Sequence, residues 1–375
     1  MKKSISIGSL LGACIGAASA QSSVALFGVI DLGVRAVKNG DGGTVASLTG
    51  NGLSTSRWGL RGTEDLGGGI KAGFWLESAI GADTGTAGSS NSAAAGNGAM
   101  ATSKFFDRRA TLGLSGAAGE VRLGRDYTPT FSNLSAFDAY GSTGFAGEAN
   151  LLGGGSPTAV GTLGSGAGTL ARADNSVGYF LPRNAYGIYG TAMAAAGEGS
   201  NTSNGNNRYV GARIGWRSGA LDMAGAYGRT RIPNDSDFRV WNAGASYGTP
   251  AVKLLVLYHQ ADFTPAGLPS RSQKLWVLGA KVPAGPGEFR ATYQRSAMRG
   301  GTAPGLRDQD GARQFALGYV YHLSKRTALY TDAGRIQNRG RSSRTFTGGT
   351  TAGSNFGTVD NRNSTAFVLG VRHNF

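Results

Sequence analysis

The sequence predicts an all-β protein: a closed, 16-stranded antiparallel barrel that crosses a membrane. Three observations predict it. The first is the final segment, where Phe367, Leu369, Val371, His373 and Phe375 alternate with Val368, Gly370, Arg372 and Asn374. Apolar or aromatic groups at every second position give one apolar face and one wet face. The segment ends flush on Phe375, which suits a closing strand whose ring sits in an aromatic girdle at a membrane interface. The second observation is that similar segments recur along the chain, joined by alternately short and long connections. The third is an export leader at the other end.

In that leader, Met1-Lys2-Lys3 supplies positive charge, Ile5 to Ala18 is apolar and small, and Ala18-Ser19-Ala20 is a small-residue cleavage site. Residues 1–20 therefore read as a signal peptide and 21–375 as the barrel. The apolar run falls short of the roughly 20 residues that span a bilayer as a helix. Leu11-Gly12-Ala13-Cys14 also resembles a lipoprotein box, with the conventional site lying just downstream. Cys14 is the only cysteine, so the exported barrel would have no disulfide. A closed sheet supplies stability instead, because every interior backbone group is paired.

Lysine and arginine number 37 against 22 acidic residues, a net charge of +15. Export argues against nucleic acid and leaves small anionic solutes and lipopolysaccharide as partners for a basic protein. No run of 18 apolar residues follows the leader, so no transmembrane helix is expected. Glycine is abundant (64) and proline scarce (10), which fits a large curved sheet better than a disordered chain.

Strands are expected near 23–37, 54–63, 69–80, 104–115, 119–127, 173–182, 185–197, 207–217, 219–229, 238–248, 251–262, 272–283, 286–298, 312–323, 326–338 and 363–375. An even count suits a bacterial single-chain barrel. Tight turns such as Glu64-Asp65-Leu66-Gly67-Gly68, Pro182-Arg183-Asn184 and Leu323-Ser324-Lys325 alternate with long connections at 38–53, 81–103, 128–172, 198–206, 230–237, 263–271, 299–311 and 339–362. Short turns on one side and long loops on the other is the membrane-barrel arrangement. Strand 312–323 places Phe315, Leu317, Tyr319, Tyr321 and Leu323 on one face. Strands 185–197 and 251–262 are apolar on both faces, as at a subunit contact or under an infolded loop.

Connection 128–172 exceeds the length of an ordinary structureless loop. It carries Phe131, Leu134, Phe137, Tyr140, Phe145, Leu151 and Leu152, which need a surface to pack on. Folded inward, it would narrow the lumen. In strand 54–63 the apolar face holds Trp58 and Leu60, so Arg57 and Arg61 point inward. Leu112 and Leu114 mark the lipid face of 104–115, which puts Arg109 inside and Arg108 outside unless a bulge shifts the register. Arg122 faces in opposite Val121 and Leu123, and Arg172 lies where the long loop rejoins the barrel. A cluster of these arginines would favour anions in a confined channel. Asp138 and Glu148 on the loop, joined by Asp31, would oppose them across the aperture. The three histidines fall on different strands. No Cys/His metal spacing, nucleophile elbow or phosphate loop is present, so no enzyme activity, metal or cofactor is expected.

The segments Ser23-Val24-Ala25-Leu26-Phe27-Gly28-Val29-Ile30-Asp31, Ser56-Arg57-Trp58-Gly59-Leu60-Arg61-Gly62-Thr63-Glu64-Asp65-Leu66-Gly67-Gly68-Gly69 and Gly119-Glu120-Val121-Arg122-Leu123-Gly124-Arg125 resemble the Gram-negative porins, especially their β-proteobacterial branch. Leu323-Ser324-Lys325-Arg326-Thr327-Ala328-Leu329-Tyr330 and terminal Phe375 extend the match over the whole exported chain. The resemblance implies an outer-membrane homotrimer with the third external loop inside each barrel. It implies passive diffusion of small hydrophilic solutes and ions, with anion selectivity where arginines line the constriction. Those arginines would be Arg57, Arg108 or Arg109, and Arg172. Val368, Gly370, His373 and Phe375 fit the family's signal to the barrel-assembly machinery, although Tyr or Phe is more usual at His373. A substrate-specific channel for small organic or inorganic anions is the alternative on the same barrel.

Overall fold

The computed structural model describes residues 23–41, 43–87, 104–142, 144–152, 169–197, 208–232, 236–264, 270–300, 310–340, 342, 344–346 and 362–375. The expected leader at 1–20 lies outside the described residues. The strands are β1 Ser23–Asn39, β2 Thr44–Gly50, β3 Arg57–Gly67, β4 Ile70–Gly81, β5 Thr86–Ala87, β6 Arg109–Gly116, β7 Gly119–Tyr127, β8 Arg172–Phe180, β9 Ile188–Ala195 and β10 Tyr209–Ser218. They continue as β11 Leu221–Ile232, β12 Ser236–Gly248, β13 Lys253–Thr264, β14 Arg271–Ala284, β15 Gly287–Gly300, β16 Gly311–His322, β17 Thr327–Arg339 and β18 Ser364–Asn374.

All pairings are antiparallel between neighbours. β1 pairs with β18 on one edge and with β3 on the other, which closes the sheet. β2 extends the line of β3 along the same edge of β1, and β5 is a two-residue hairpin on β4. The barrel therefore has 16 strand positions. β2 and the short β5 are strands that the sequence reading placed inside loops, at 38–53 and 81–103. Closure reaches the last residue: Gly28 and Phe375 exchange two backbone hydrogen bonds of 3.1 Å. The Phe375 ring lies against Gly28, where a Cβ would come within 2.2 Å of it.

The outer face follows the expected alternation. Leu112 and Leu114 on β6, Leu317 on β16 and Leu369 on β18 are each more than half exposed, while their neighbours in sequence face the lumen. This apolar outer band is what a bilayer covers.

The long loop lies inside the barrel over the described part of its length. Helix α1, Pro129–Ala136, is capped by Thr128, whose side chain accepts from Phe131 N at 3.3 Å, and starts on a proline that has no N–H to lose. It lies against β9 to β12, and a short helix α2, Ala149–Leu152, lies against β14 to β16. Leu134, Phe137, Tyr140, Leu151 and Leu152 are buried and share one apolar cluster with Leu255, Leu257, Leu275 and Val277 of the wall. Phe137 fits because Gly244 faces it, and a Cβ there would come within 2.2 Å of the ring. This explains the two apolar faces of β13: Leu254 and Val256 face out, whereas Leu255 and Leu257 lie under the loop. Side-chain amides fix the loop backbone. Gln294 and Gln314 donate to Ala146 O at 2.9 and 2.7 Å, and Gln273 donates to Leu151 O at 2.8 Å.

Candidate channel constriction

The wall that the loop leaves open is formed by β3, β4, β6, β7 and β8. Period-two geometry aims Arg57 and Glu77 into the lumen, while Tyr127 and its register partner Arg172 lie at the strand ends beyond the register shift between Gly124 and Asp126. Arg108 joins them through a local irregularity. Glu77 is the register partner of Arg109, yet its carbonyl accepts from Arg108 N at 3.1 Å. Two residues therefore stand opposite one, as in a β-bulge, and both arginines face in. The choice left open between Arg108 and Arg109 dissolves.

The five groups interlock. Arg108 donates to Glu77 Oε1 at 2.5 Å and to Tyr127 OH at 2.7 Å. Arg172 donates to the same Tyr127 OH at 2.8 Å and to Arg108 O at 2.8 Å, with its guanidinium 4.4 Å over the Tyr127 ring. Arg57 lies 3.6 Å from Glu77 Oε1. Glu77 thus pairs with Arg108 and approaches Arg57, while Arg172 is held by Tyr127 and the Arg108 carbonyl, so three guanidiniums gather around one carboxylate that contacts two of them. The Arg57 side chain is 27% exposed against 8% for Arg108, so Arg57 presents charge to the lumen while Arg108 is held behind it. Tyr127 stacks on Phe131 of α1, with centroids 5.1 Å apart and planes at 18°, which joins the arginine row to the loop.

A second group lies on the same wall toward the short turns. Arg109 is 3.6 Å from Asp126, and Arg122 bonds Asp126 at 2.6 Å and Glu120 at 2.9 Å. Two arginines against two carboxylates leave no net charge. Arg61 lies 5.1 Å over both Phe27 and Trp75, with no ion pair among the described residues.

The acidic side is not where the sequence reading put it. Asp138 accepts from Tyr140 N at 2.9 Å, Ser142 N at 3.3 Å and Glu148 N at 2.9 Å, so its carboxylate organises the loop's own backbone. Glu148 is 1% exposed, and burial together with the neighbouring Asp138 pushes its carboxyl well above the usual range. Asp31 does face inward. It accepts from Gly52 N, Leu53 N and Ser54 N, and from Tyr330 OH at 2.7 Å, which pins the chain between β2 and β3. The acid beside the arginines is Glu77. Alternation with Trp75 would have aimed it inward, but an acid within a strand drew less notice than acids on the long loop. Tyr127 was missed because alternation with Val121 and Leu123 would put it on the outer face, and the register shift between Gly124 and Asp126 leaves no mark in the residue pattern.

The comparisons agree with this architecture. A family model described as Gram-negative porin matches residues 9–341. Outer membrane porin protein 32 of Delftia acidovorans is 35% identical over 396 aligned residues that cover all of both chains. The solved anion-selective porin from Comamonas acidovorans superposes with a TM-score of 0.74 at 33% identity, over 95% of this chain and 100% of that one. OmpT of Vibrio cholerae, at 16% identity and a TM-score of 0.64 over 94% of this chain and 99% of that one, shares the fold. A closed 16-stranded barrel with an apolar outer band and a full-length family match leaves one conclusion: this chain is a channel-forming outer-membrane protein and belongs to the Gram-negative porins.

Proposed function

We propose that the channel is water-filled, works as a homotrimer and prefers small anionic solutes, with Arg57, Arg108 and Arg172 setting the preference. One observation carries this reading: Arg57, Arg108 and Arg172 gather around the carboxylate of Glu77, which contacts only the first two, and Arg57 is the exposed member. A confined field of that sign concentrates anions and repels cations. The neighbouring Arg109 and Arg122 are matched by Asp126 and Glu120 and contribute less net field. The same charge pattern is consistent with the name of the solved Comamonas relative. Planar-bilayer recordings in a KCl gradient test the reading. It expects a reversal potential of the anion-preferring sign, and a cation-preferring sign would overturn it. A substrate-specific site would show itself as solute flux that saturates with concentration, whereas a general pore stays linear.

The last strand also serves assembly in this reading, through Val368, Gly370, His373 and Phe375. The support is the pairing of Phe375 with Gly28 at the closing seam. Deleting Phe375 should lower the yield of trimer in the outer membrane and leave conductance per pore unchanged. Normal yield would remove the residue from assembly.

A further inference from the structure

The inner face of the closing seam carries two cations outside the constriction group. Asp31 faces inward on β1, so period two aims Arg35 inward as well. On β18 the outward residues Phe367, Leu369 and Val371 are exposed, so Arg372, of the other parity, faces the lumen. Both arginines are half-buried, and the Nε of each is buried without a hydrogen-bond partner. Neither side chain forms an ion pair or hydrogen bond among the described residues. Asp31 is the register partner of Arg372 and its natural counter-charge. That carboxylate is already taken, by Gly52 N, Leu53 N, Ser54 N and Tyr330 OH.

The pairing register sets the inward cations of this region in order. Arg35 is on β1 itself, Arg372 is opposite Asp31, Arg57 is opposite Val29 and Arg61 is opposite Ala25. The steps along β1 are therefore four residues (35 to 31), two (31 to 29) and four (29 to 25). At roughly 3.4 Å per residue these are about 14, 7 and 14 Å. The row runs from the long-loop end of the strand to the short-turn end. Arg372 is close enough to Arg57 for the two cations to repel. Arg61 has aromatic partners, Phe27 and Trp75. Glu77, the carboxylate near Arg57, is held by Arg108 at 2.5 Å.

We propose that Arg372 is a specificity-determining residue of the channel, and that Arg35, Arg372, Arg57 and Arg61 form a track along which small anions cross the barrel. The inference rests on the anion-preferring reading above and adds to it a path along the closing seam. The steps of the track are on the order of the screening length, about 10 Å at 0.1 M salt, so an anion leaving one guanidinium already feels the next. Burying a guanidinium nitrogen without a partner is unfavourable, and a passing anion relieves it. Period two thereby gives the last strand two roles. Its outward side chains meet the bilayer, and its inward Arg372 meets the solute. A segment read as an assembly signal thus holds a cation that contact with lipid does not explain.

The test is the chloride-to-potassium permeability ratio of the purified channel in planar bilayers, taken from reversal potentials in KCl gradients centred on about 0.1 M and about 1 M. Arg372→Gln, Arg372→Lys and Arg35→Gln are compared with the wild type. At the lower salt, Arg372→Gln should reduce the ratio about threefold, the effect of one unit charge at about 7 Å in a water-like dielectric. Arg35→Gln, at about 14 Å from the next member, should reduce it about 1.5-fold. Arg372→Lys should keep the wild-type ratio, because it keeps the charge. At the higher salt the differences should vanish, because the screening length falls to about 3 Å. If Arg372→Gln fails to assemble, Arg35→Gln lies outside the last strand and carries the test. Wild-type ratios in the Gln variants of an anion-preferring channel would overturn the track and leave the constriction reading standing. A loss in Arg372→Lys equal to that in Arg372→Gln would also overturn it, by showing that shape and not charge matters. A cation-preferring wild type would overturn the earlier reading and this inference with it.

Discussion

Two walls of one barrel face the same lumen and are built from opposite materials. The wall from β3 to β8 presents guanidiniums, the carboxylates of Glu77, Glu120 and Asp126 and a tyrosine hydroxyl, and stays open to water. The wall from β9 to β16 presents Leu255, Leu257, Leu275 and Val277, backed by Gln273, Gln294 and Gln314, and lies under the loop. Both obey the same period of two. What differs is the neighbour: charge where the lumen is wet, apolar packing and amides where loop backbone must be covered and its carbonyls satisfied. The inward face of a barrel strand therefore reports what covers it. A strand with one apolar face lines the channel, and a strand with two lies beneath something.

The largest expected effect comes from the covered wall. Phe137→Ala empties the pocket over Gly244 and should cost about 3–5 kcal/mol of packing. Loop docking should weaken, so single-channel records should show larger or noisier conductance. Unchanged, quiet conductance would mean that the polar pins hold the loop without the apolar cluster. On the open wall, Glu77→Gln removes the carboxylate that Arg57 and Arg108 share. The loss of a charge-assisted hydrogen bond should cost about 1.5–3 kcal/mol, read as a lower unfolding midpoint. Anion preference should nonetheless rise, because the uncompensated charge grows. A fall in both would show that Glu77 acts by positioning the arginines and not by balancing them.

Much of this was legible in the sequence. Alternation located the strands, separated the lipid face from the lumen face, and aimed Arg57, Arg61, Arg109 and Arg122 inward. The apolar content of 128–152 located the infolded loop, because Leu134, Phe137 and Leu151 had nowhere else to pack. Three features were not legible, each for a physical reason. The bulge that brings Arg108 inside depends on one hydrogen bond, from Arg108 N to Glu77 O, and leaves no mark in residue pattern. Asp138 and Glu148 looked available for the aperture because a loop acid is usually solvated, but turns of backbone N–H groups took the first and burial the second. β2 was hidden because its pairing with β1 runs on beyond the point where β3 leaves off, and only register reveals that.

The central claim is that the excess of guanidinium over carboxylate on the open wall sets the charge preference, with Arg57 as its exposed member. Its most direct test is the reversal potential of Arg57→Ser beside the wild type in the same KCl gradient. The wild type should show anion preference, and the variant should move about halfway toward zero, since the exposed guanidinium of the three is gone. An unchanged reversal potential in the variant, or a cation-preferring wild type, would contradict the claim.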